Sequence, residues 1–269
     1  ADLQNRQLDE DNFHEIVNDD EQMYDDIEAV PIDDDNMVNQ ILTIVKNHVS
    51  EVWSPPRVNK LAAQYGLTPG FSYDIQVDDD KGIPWDFDIP AQRAKCIRNI
   101  MDQKPSFVIG SPMCTAFSAL QGLNRSRMSK DKWDALWEKG VRHMQFAIKI
   151  YKLQVESGRY FIHEHPNSAS SWKIPEMVRF MNETGVDKVV GHMCRYGMNS
   201  HDQLGEGPVK KPTGFLSNSE FVRNQLARKC LGGHRHVALL GGRTKACQVD
   251  PDKLCRSMLT GIKQTNIHS

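Results

Sequence analysis

The sequence predicts an α/β fold, a doubly wound and mainly parallel sheet with helices on both faces. Three observations lead there. Short apolar runs alternate with helical periodicities from about residue 50 to residue 190, the pattern of successive strand–helix–strand units. Four of those runs end on polar or reactive groups, at Ser54 to Arg57, Asp74, Ser111 to Cys114 and Glu164 with His165, and ligands of parallel sheets sit beyond the carboxyl ends of the strands. Finally, 39% hydrophobic and 25% charged residues over 269 positions suffice for a sizeable core.

Taken in order, Met37, Ile41, Ile44, Val45 and Val49 recur at helical spacing behind Asp34-Asp35-Asn36, a serviceable N-cap. Glu51-Val52-Trp53 reads as a short strand running into Ser54-Pro55-Pro56-Arg57. A helix from Val58 to Tyr65 is stopped by Gly66, and Phe71 to Ile75 forms a second strand around the acid Asp74. Past Trp85 to Ile89 a helix runs from Pro90 to about Met101. Phe107-Val108-Ile109-Gly110 is a buried-type strand carrying Ser111-Pro112-Met113-Cys114 at its end. A long amphipathic helix from Lys130 to Glu156 delivers the chain to the strand Tyr160 to Glu164. Ile174 to Met181 is helical, Lys188 to Gly191 strand-like, and Asn199 to Pro212 a loop punctuated by Gly and Pro. A helix from Glu220 to Cys230, a strand from His236 to Leu240 and a final helix opened by Asp250-Pro251 complete the chain.

The net charge of −2 conceals a division. Residues 1–36 carry 14 Asp and Glu against Arg6 alone, while the remainder holds 32 Lys and Arg against 21 acids. The sequence therefore divides into an acidic segment, 1–35, expected to be disordered, and a basic domain, 36–269, with a short recognition insertion around 198–236. A basic body suits a phosphate-bearing partner and equally an ordinary solvated surface. The acidic segment reads either as a shield for that basic face or as the linker of a longer polypeptide with further domains. Six cysteines are too sparse for a disulfide framework. With no apolar run long enough to span a bilayer and no basic-then-apolar leader, the expectation is an intracellular protein without a membrane partner.

A thiol at a strand end has the setting of a nucleophile, although a lone Cys114 also reads as a small buried hydrophobe. The run around it, Phe107-Val108-Ile109-Gly110-Ser111-Pro112-Met113-Cys114-Thr115-Ala116-Phe117-Ser118, resembles the signature of the cytosine-C5 methyltransferases, a strand followed by Gly-Gly-x-Pro-Cys-Gln-x-Phe-Ser. Gly110, Pro112, Cys114, Phe117 and Ser118 match in type, and Met113 replaces the proline before the cysteine. Gly158-Arg159-Tyr160-Phe161-Ile162-His163-Glu164-His165-Pro166 resembles the family's Glu-Asn-Val motif, with His165 and Pro166 in place of Asn and Val. Cys194-Arg195-Tyr196-Gly197 is similar to its Tyr-Gly region, and Lys210 and Lys211 stand in for its Gln-x-Arg-x-Arg pattern. The likeness covers about residues 51–262 and is nearest to divergent methyltransferase-like domains of eukaryotic retrotransposon-type polyproteins.

The resemblance implies a class I, Rossmann-like fold binding S-adenosyl-L-methionine (SAM). It implies Cys114, Glu164 and Lys211 as catalytic residues, with Cys114 adding to C6 of cytosine while Glu164 holds N3. It implies Trp53, Ser54, Pro55, Arg57, Asp74, Asp88, Ile89, Ser111 and Pro112 around the cofactor, Asp74 at the ribose hydroxyls and Asp88-Ile89 at the adenine. Singly, each of these also reads as a turn or a helix cap. The implied partner is nucleic acid, DNA foremost with RNA open, in the nucleus if DNA is the substrate. No metal is assigned to the site. Three rivals stand beside this reading. A methyltransferase for another acceptor is one, and a nucleic-acid-binding module that keeps the fold without turnover is a second. The third is a structural zinc, for which Cys230, His234 and His236 are the most suggestive ligands.

Overall fold

The computed structural model describes residues 48–118, 125–239 and 249–268, together with Arg243 and Cys247. The acidic segment and the helix expected from Met37 lie outside the described residues. Val49, expected in that helix, instead opens the first strand.

That strand, β1 (Val49–Val52), leads into α1 (Val58–Ala62) and then β2 (Pro69–Tyr73). Gly66 turns the chain between them at φ 71°, a conformation that costs glycine little. Next come α2 (Pro90–Gln103), β3 (Phe107–Gly110), α3 (Lys130–Glu156) and β4 (Tyr160–Pro166). Then follow α4 (Pro175–Met181), β5 (Asp187–His192), a hairpin of β6 (Asn199–Asp202) and β7 (Gly205–Pro208), and β8 (Pro212–Ser217). The last helices are α5 (Glu220–Leu226) and α6 (Asp252–His268).

Six strands form one sheet in the order β2-β1-β3-β4-β8-β5. The first four are parallel, whereas β8 runs antiparallel to both β4 and β5. The chain goes from β1 to one side for β2 and then crosses to the other side for β3. The strand order therefore switches between β1 and β3, where such sheets open a crevice.

Side-chain alternation divides the core into two layers. Phe107, Ile109, Ile162 and Phe215 meet apolar residues of α1, α5 and α6. Val108, Phe161 and Leu216 meet those of α2, α3 and α4 on the opposite face. Helices thus cover both faces, as expected.

Three local readings change. The segment expected as a loop to Pro212 holds the β6–β7 hairpin. The strand expected at 236 is extended chain without a ladder, tied by Val237 N–H to Pro208 O at 2.9 Å. β8 has no clear signal in the sequence: Thr213 to Ser217 is short and wholly buried, so neither alternation nor helical period marks it. Its Gly214 admits the Trp172 ring, which an added Cβ would meet at 2.7 Å. β8 and α5 both belong to the main sheet and its cover, so within 198–236 only the hairpin and the chain after Leu226 project from the core.

Candidate active site

Glu51, buried at the end of β1, organises the first loop. Its Oε1 accepts from Arg57 N–H at 3.1 Å and Asn59 N–H at 2.8 Å, while Ser54 Oγ donates to its Oε2 at 2.9 Å. Burial lifts its pKa, against the pull of those amides. The start of α1 is therefore capped by the chain's own carboxylate, and Ser54 also donates to Pro55 O at 2.8 Å. Trp53 turns the strand into this loop at φ 58°, uncommon for a bulky residue. It is held there by its N–H on Tyr73 O at 2.7 Å and by edge contacts with Phe87 and Phe146.

The second loop leaves β3 at Gly110, which must lack a side chain: an added Cβ would collide with the Tyr151 hydroxyl of α3. Ser111 N–H continues the ladder to Val52 O at 3.2 Å, and Pro112 is buried. Cys114 then caps a 3-10 turn, Thr115–Phe117, that lies on α3 at Gly140, with Ala116 Cβ 2.7 Å from where a Cβ would stand. This docking sets the position of the thiol.

Alternation along β4 sorts the run His163-Glu164-His165. His163 and His165 share the α3 face, their rings 5.5 Å apart, His163 Nδ1 bonded to Tyr151 OH at 2.9 Å and His165 Nδ1 to Ser171 Oγ at 2.7 Å. Glu164 points to the opposite face by the period of two. These three do not converge on a metal. His165 instead contacts Phe117, bracing the Cys114 turn from β4.

Glu164 is the electrostatic focus. Burial first and the Asp250 carboxylate second lift its pKa to about 7, against the opposing pull of Lys211 and Arg57. Among the described residues its Oε1 has no hydrogen-bond partner. The Cys114 thiol is also pushed up, first by burial and then by the charge of Glu164, with Lys211 opposing. Cys114, Glu164 and Lys211, predicted from separate motifs, thus influence one another electrostatically, and Arg57 acts on Glu164. Lys211 Nζ donates to Cys247 O at 3.0 Å and its backbone has φ 23° immediately before a proline, a strained setting.

The sequence reasoning missed Asp250, whose own pKa is raised by burial and lowered by Lys211 and Arg57. An acid ahead of Pro251 at a helix start reads as a cap, and only the fold aims it at Glu164. It also missed His143, which lies one turn beyond Lys139 on the same face of α3. Asp88 is engaged by Lys139 and by His143 Nε2 at 3.1 Å, and its neighbour Ile89 is 43% exposed at the start of α2. Among the described residues the Asp74 carboxylate, beyond β2, accepts from its own turn, from Gln76 N–H at 3.0 Å and Gln76 Nε2 at 3.2 Å. A shallow groove of about 470 Å³ beside α1 and β2 is lined by Pro56, Asn59, Lys60, Pro69, Gly70, Ser72 and Val77, of which Pro56 alone belongs to the loop 53–57 expected at the cofactor. No helix among the described residues is long and apolar enough to cross a membrane. Compared with protein-family models and with curated proteins, the chain matches none.

Proposed function

We propose that this domain is a SAM-dependent methyltransferase acting on C5 of cytosine in nucleic acid, DNA foremost. The observation that carries the reading is the electrostatic influence on Cys114 of a buried, partly unpartnered Glu164 whose carboxyl titrates at about 7. A carboxyl of that kind is half protonated near neutrality and can donate to a ring nitrogen.

The residues divide the work as follows. The Glu164 carboxyl faces N3 and donates its hydrogen there, so that negative charge does not build on the ring as Sγ of Cys114 adds to C6. In the free chain burial and the Glu164 charge hold the thiol protonated. When Glu164 is neutral and bonded to N3, that second cause disappears and Lys211 remains to favour the thiolate. Addition at C6 makes C5 nucleophilic. SAM supplies the methyl group when bound. Loss of the C5 proton to a base, return of the N3 proton to Glu164 and expulsion of Sγ from C6 then free Cys114. In a duplex, the base must first leave the stack at a cost of a few kcal/mol.

The residues present fit the cofactor at the switch between β1 and β3. Asp74 offers an accessible carboxylate for ribose hydroxyls, and Trp53, Ser111 and Pro112 line the adjoining strand ends. The amides at the start of α1 are already taken by Glu51, so an anionic end of the ligand has to find Arg57 or another cation. Asp88 is drawn below its usual range, its burial outweighed by Lys139 and His143.

The test is covalent trapping with DNA containing 5-fluorocytosine, which blocks the final elimination. With SAM present, the parent forms an adduct whose peptide map ends on Cys114, and Cys114→Ser forms none. Methyl transfer at the parental rate by Cys114→Ala sinks the mechanism. A second reading, a nucleic-acid-binding module without turnover, is favoured by the elevated Cys114 thiol and the self-capped α1. It requires no SAM binding, and calorimetry separates the two.

A further inference from the structure

We propose that Cys194, Cys230, His234 and His236 form a structural Zn²⁺ site that fastens the chain after α5 to the end of β5. Among the described residues these four bring one ligand atom each to within 4.8 Å of one another. Cys194 lies in the 3-10 turn Met193–Tyr196 directly after β5, and the other three lie on the irregular stretch beyond α5. The sequence spacing shows only the latter three. The fold adds the fourth, from a distant part of the chain.

The separations are those that a tetrahedral ion imposes. With Zn–S near 2.3 Å and Zn–N near 2.0–2.1 Å, a tetrahedral angle sets S and N about 3.6 Å apart and two N about 3.3 Å apart. Cys230 Sγ is 3.5 Å from both His234 Nε2 and His236 Nε2, and the two Nε2 atoms are 3.0 Å apart. Cys194 and Cys230 are within hydrogen-bond reach of each other. Hydrogen bonding alone gives no reason for two thiols and two imidazole nitrogens to aim at one point, because thiols are weak donors. Two thiolates and two neutral imidazoles balance a divalent ion. Four protein ligands make the site closed and hence structural rather than catalytic.

The surroundings fit the same purpose. Gly232 N–H points at Cys230 Sγ at 3.4 Å, the kind of outer contact that orients a ligating sulfur. Cys230 N–H donates to His192 Nδ1 at 2.9 Å, and His192 N–H to Arg228 O at 2.9 Å, so the last residue of β5 already grips this stretch. Yet from Ala227 to Leu239 there is neither helix nor strand, and Leu231 is 85% exposed. Only Val237 is fully buried in the core there. A stretch with so little apolar burial needs another constraint, and a metal clip supplies one.

The test uses the reduced parent chain, freed of metal by a chelator and titrated with Co²⁺ and then Zn²⁺. One equivalent of Co²⁺ should give the intense visible bands of tetrahedral coordination with thiolate-to-cobalt charge transfer, bleached by one equivalent of Zn²⁺. Cys194→Ser and His236→Ala should each weaken or abolish that spectrum, and Cys96→Ala should leave it intact. Weak octahedral cobalt bands, or an unchanged spectrum in both ligand variants, overturn the proposal. If a variant fails to fold, the cobalt spectrum of the parent still decides. The outcome is independent of any result at Cys114.

Discussion

Trp53 and Asp88 are joined through a single imidazole. The Trp53 indole N–H donates to His143 Nδ1 at 2.9 Å, and His143 Nε2 faces Asp88 Oδ1 at 3.1 Å. Because Nδ1 accepts, the ring proton resides on Nε2 and is donated to the carboxylate. Burial lowers the His143 pKa, and Asp88 opposes that. The relay connects the left-handed residue at the end of β1 with the loop before α2, and both flank the proposed cofactor crevice.

Replacing His143 by Phe keeps the ring and removes both bonds. Two half-buried polar groups then each lose a bond, Asp88 keeping its ion pair with Lys139, so stability should fall by about 1 kcal/mol. SAM affinity should fall with it, while His143→Gln, which can still bond at one end, should lose less. Urea midpoints and calorimetry measure the two effects. A His143→Phe chain with parental affinity would separate the relay from the cofactor site.

Glu164→Gln keeps the shape but removes the titrating proton. Adduct formation with 5-fluorocytosine DNA should slow by about 10²- to 10⁴-fold, the range of general acid catalysis. Lys211→Met should also slow it, because that ammonium favours the Cys114 thiolate. A Glu164→Gln chain reacting at the parental rate would remove Glu164 from the chemistry.

Glu164 also predicts how stability follows pH. Its carboxyl is raised from the model-compound value of 4.5 to about 7. The folded chain therefore keeps a proton that the unfolded chain releases as pH passes 4.5. This contribution to stability is fully present below about 4.5 and is lost as pH rises towards about 7. Asp250, also raised, acts in the same direction. Denaturation midpoints across that window should decline less steeply in Glu164→Gln. Identical slopes would show a carboxylate that ionises normally.

Gly110→Ala should overpack the β3–α3 contact at the Tyr151 hydroxyl and cost about 1–3 kcal/mol. Adding Tyr151→Phe removes the colliding atom, at the expense of the bond to His163. The double variant should be less destabilised than the sum of the two singles. Strict additivity in a double-mutant cycle would mean that the two side chains do not meet.

The proposed catalytic pair can be found by eye in the sequence, but its environment cannot. Cys114 and Glu164 were visible because each ends a short apolar run, and α3 was legible to both of its ends from its amphipathic period. β8 was not, since five buried residues carry no period. The β6–β7 hairpin was hidden by Gly and Pro that served equally well as loop signals. Asp250 was hidden for another reason: it reads locally as a helix cap and lies far along the chain from Glu164. Cys194 is one of several potential ligands in the sequence, and its distance along the chain from Cys230 conceals the grouping.

The sequence by itself determined the alternation of strands and helices, the split between acidic segment and basic body, and the reactive groups at the strand ends. Those features are local: they depend on period, on turn residues and on composition. Only the tertiary structure decided that β8 enters antiparallel between β4 and β5. It alone decided that Glu164 faces away from both of its histidine neighbours, and that the charges of Asp250, Arg57 and Lys211 act on it. It alone brought Cys194 to Cys230, His234 and His236. These are contacts between distant residues, fixed by sheet register and by the two-residue alternation of a strand, which a linear reading cannot align until the strands are paired.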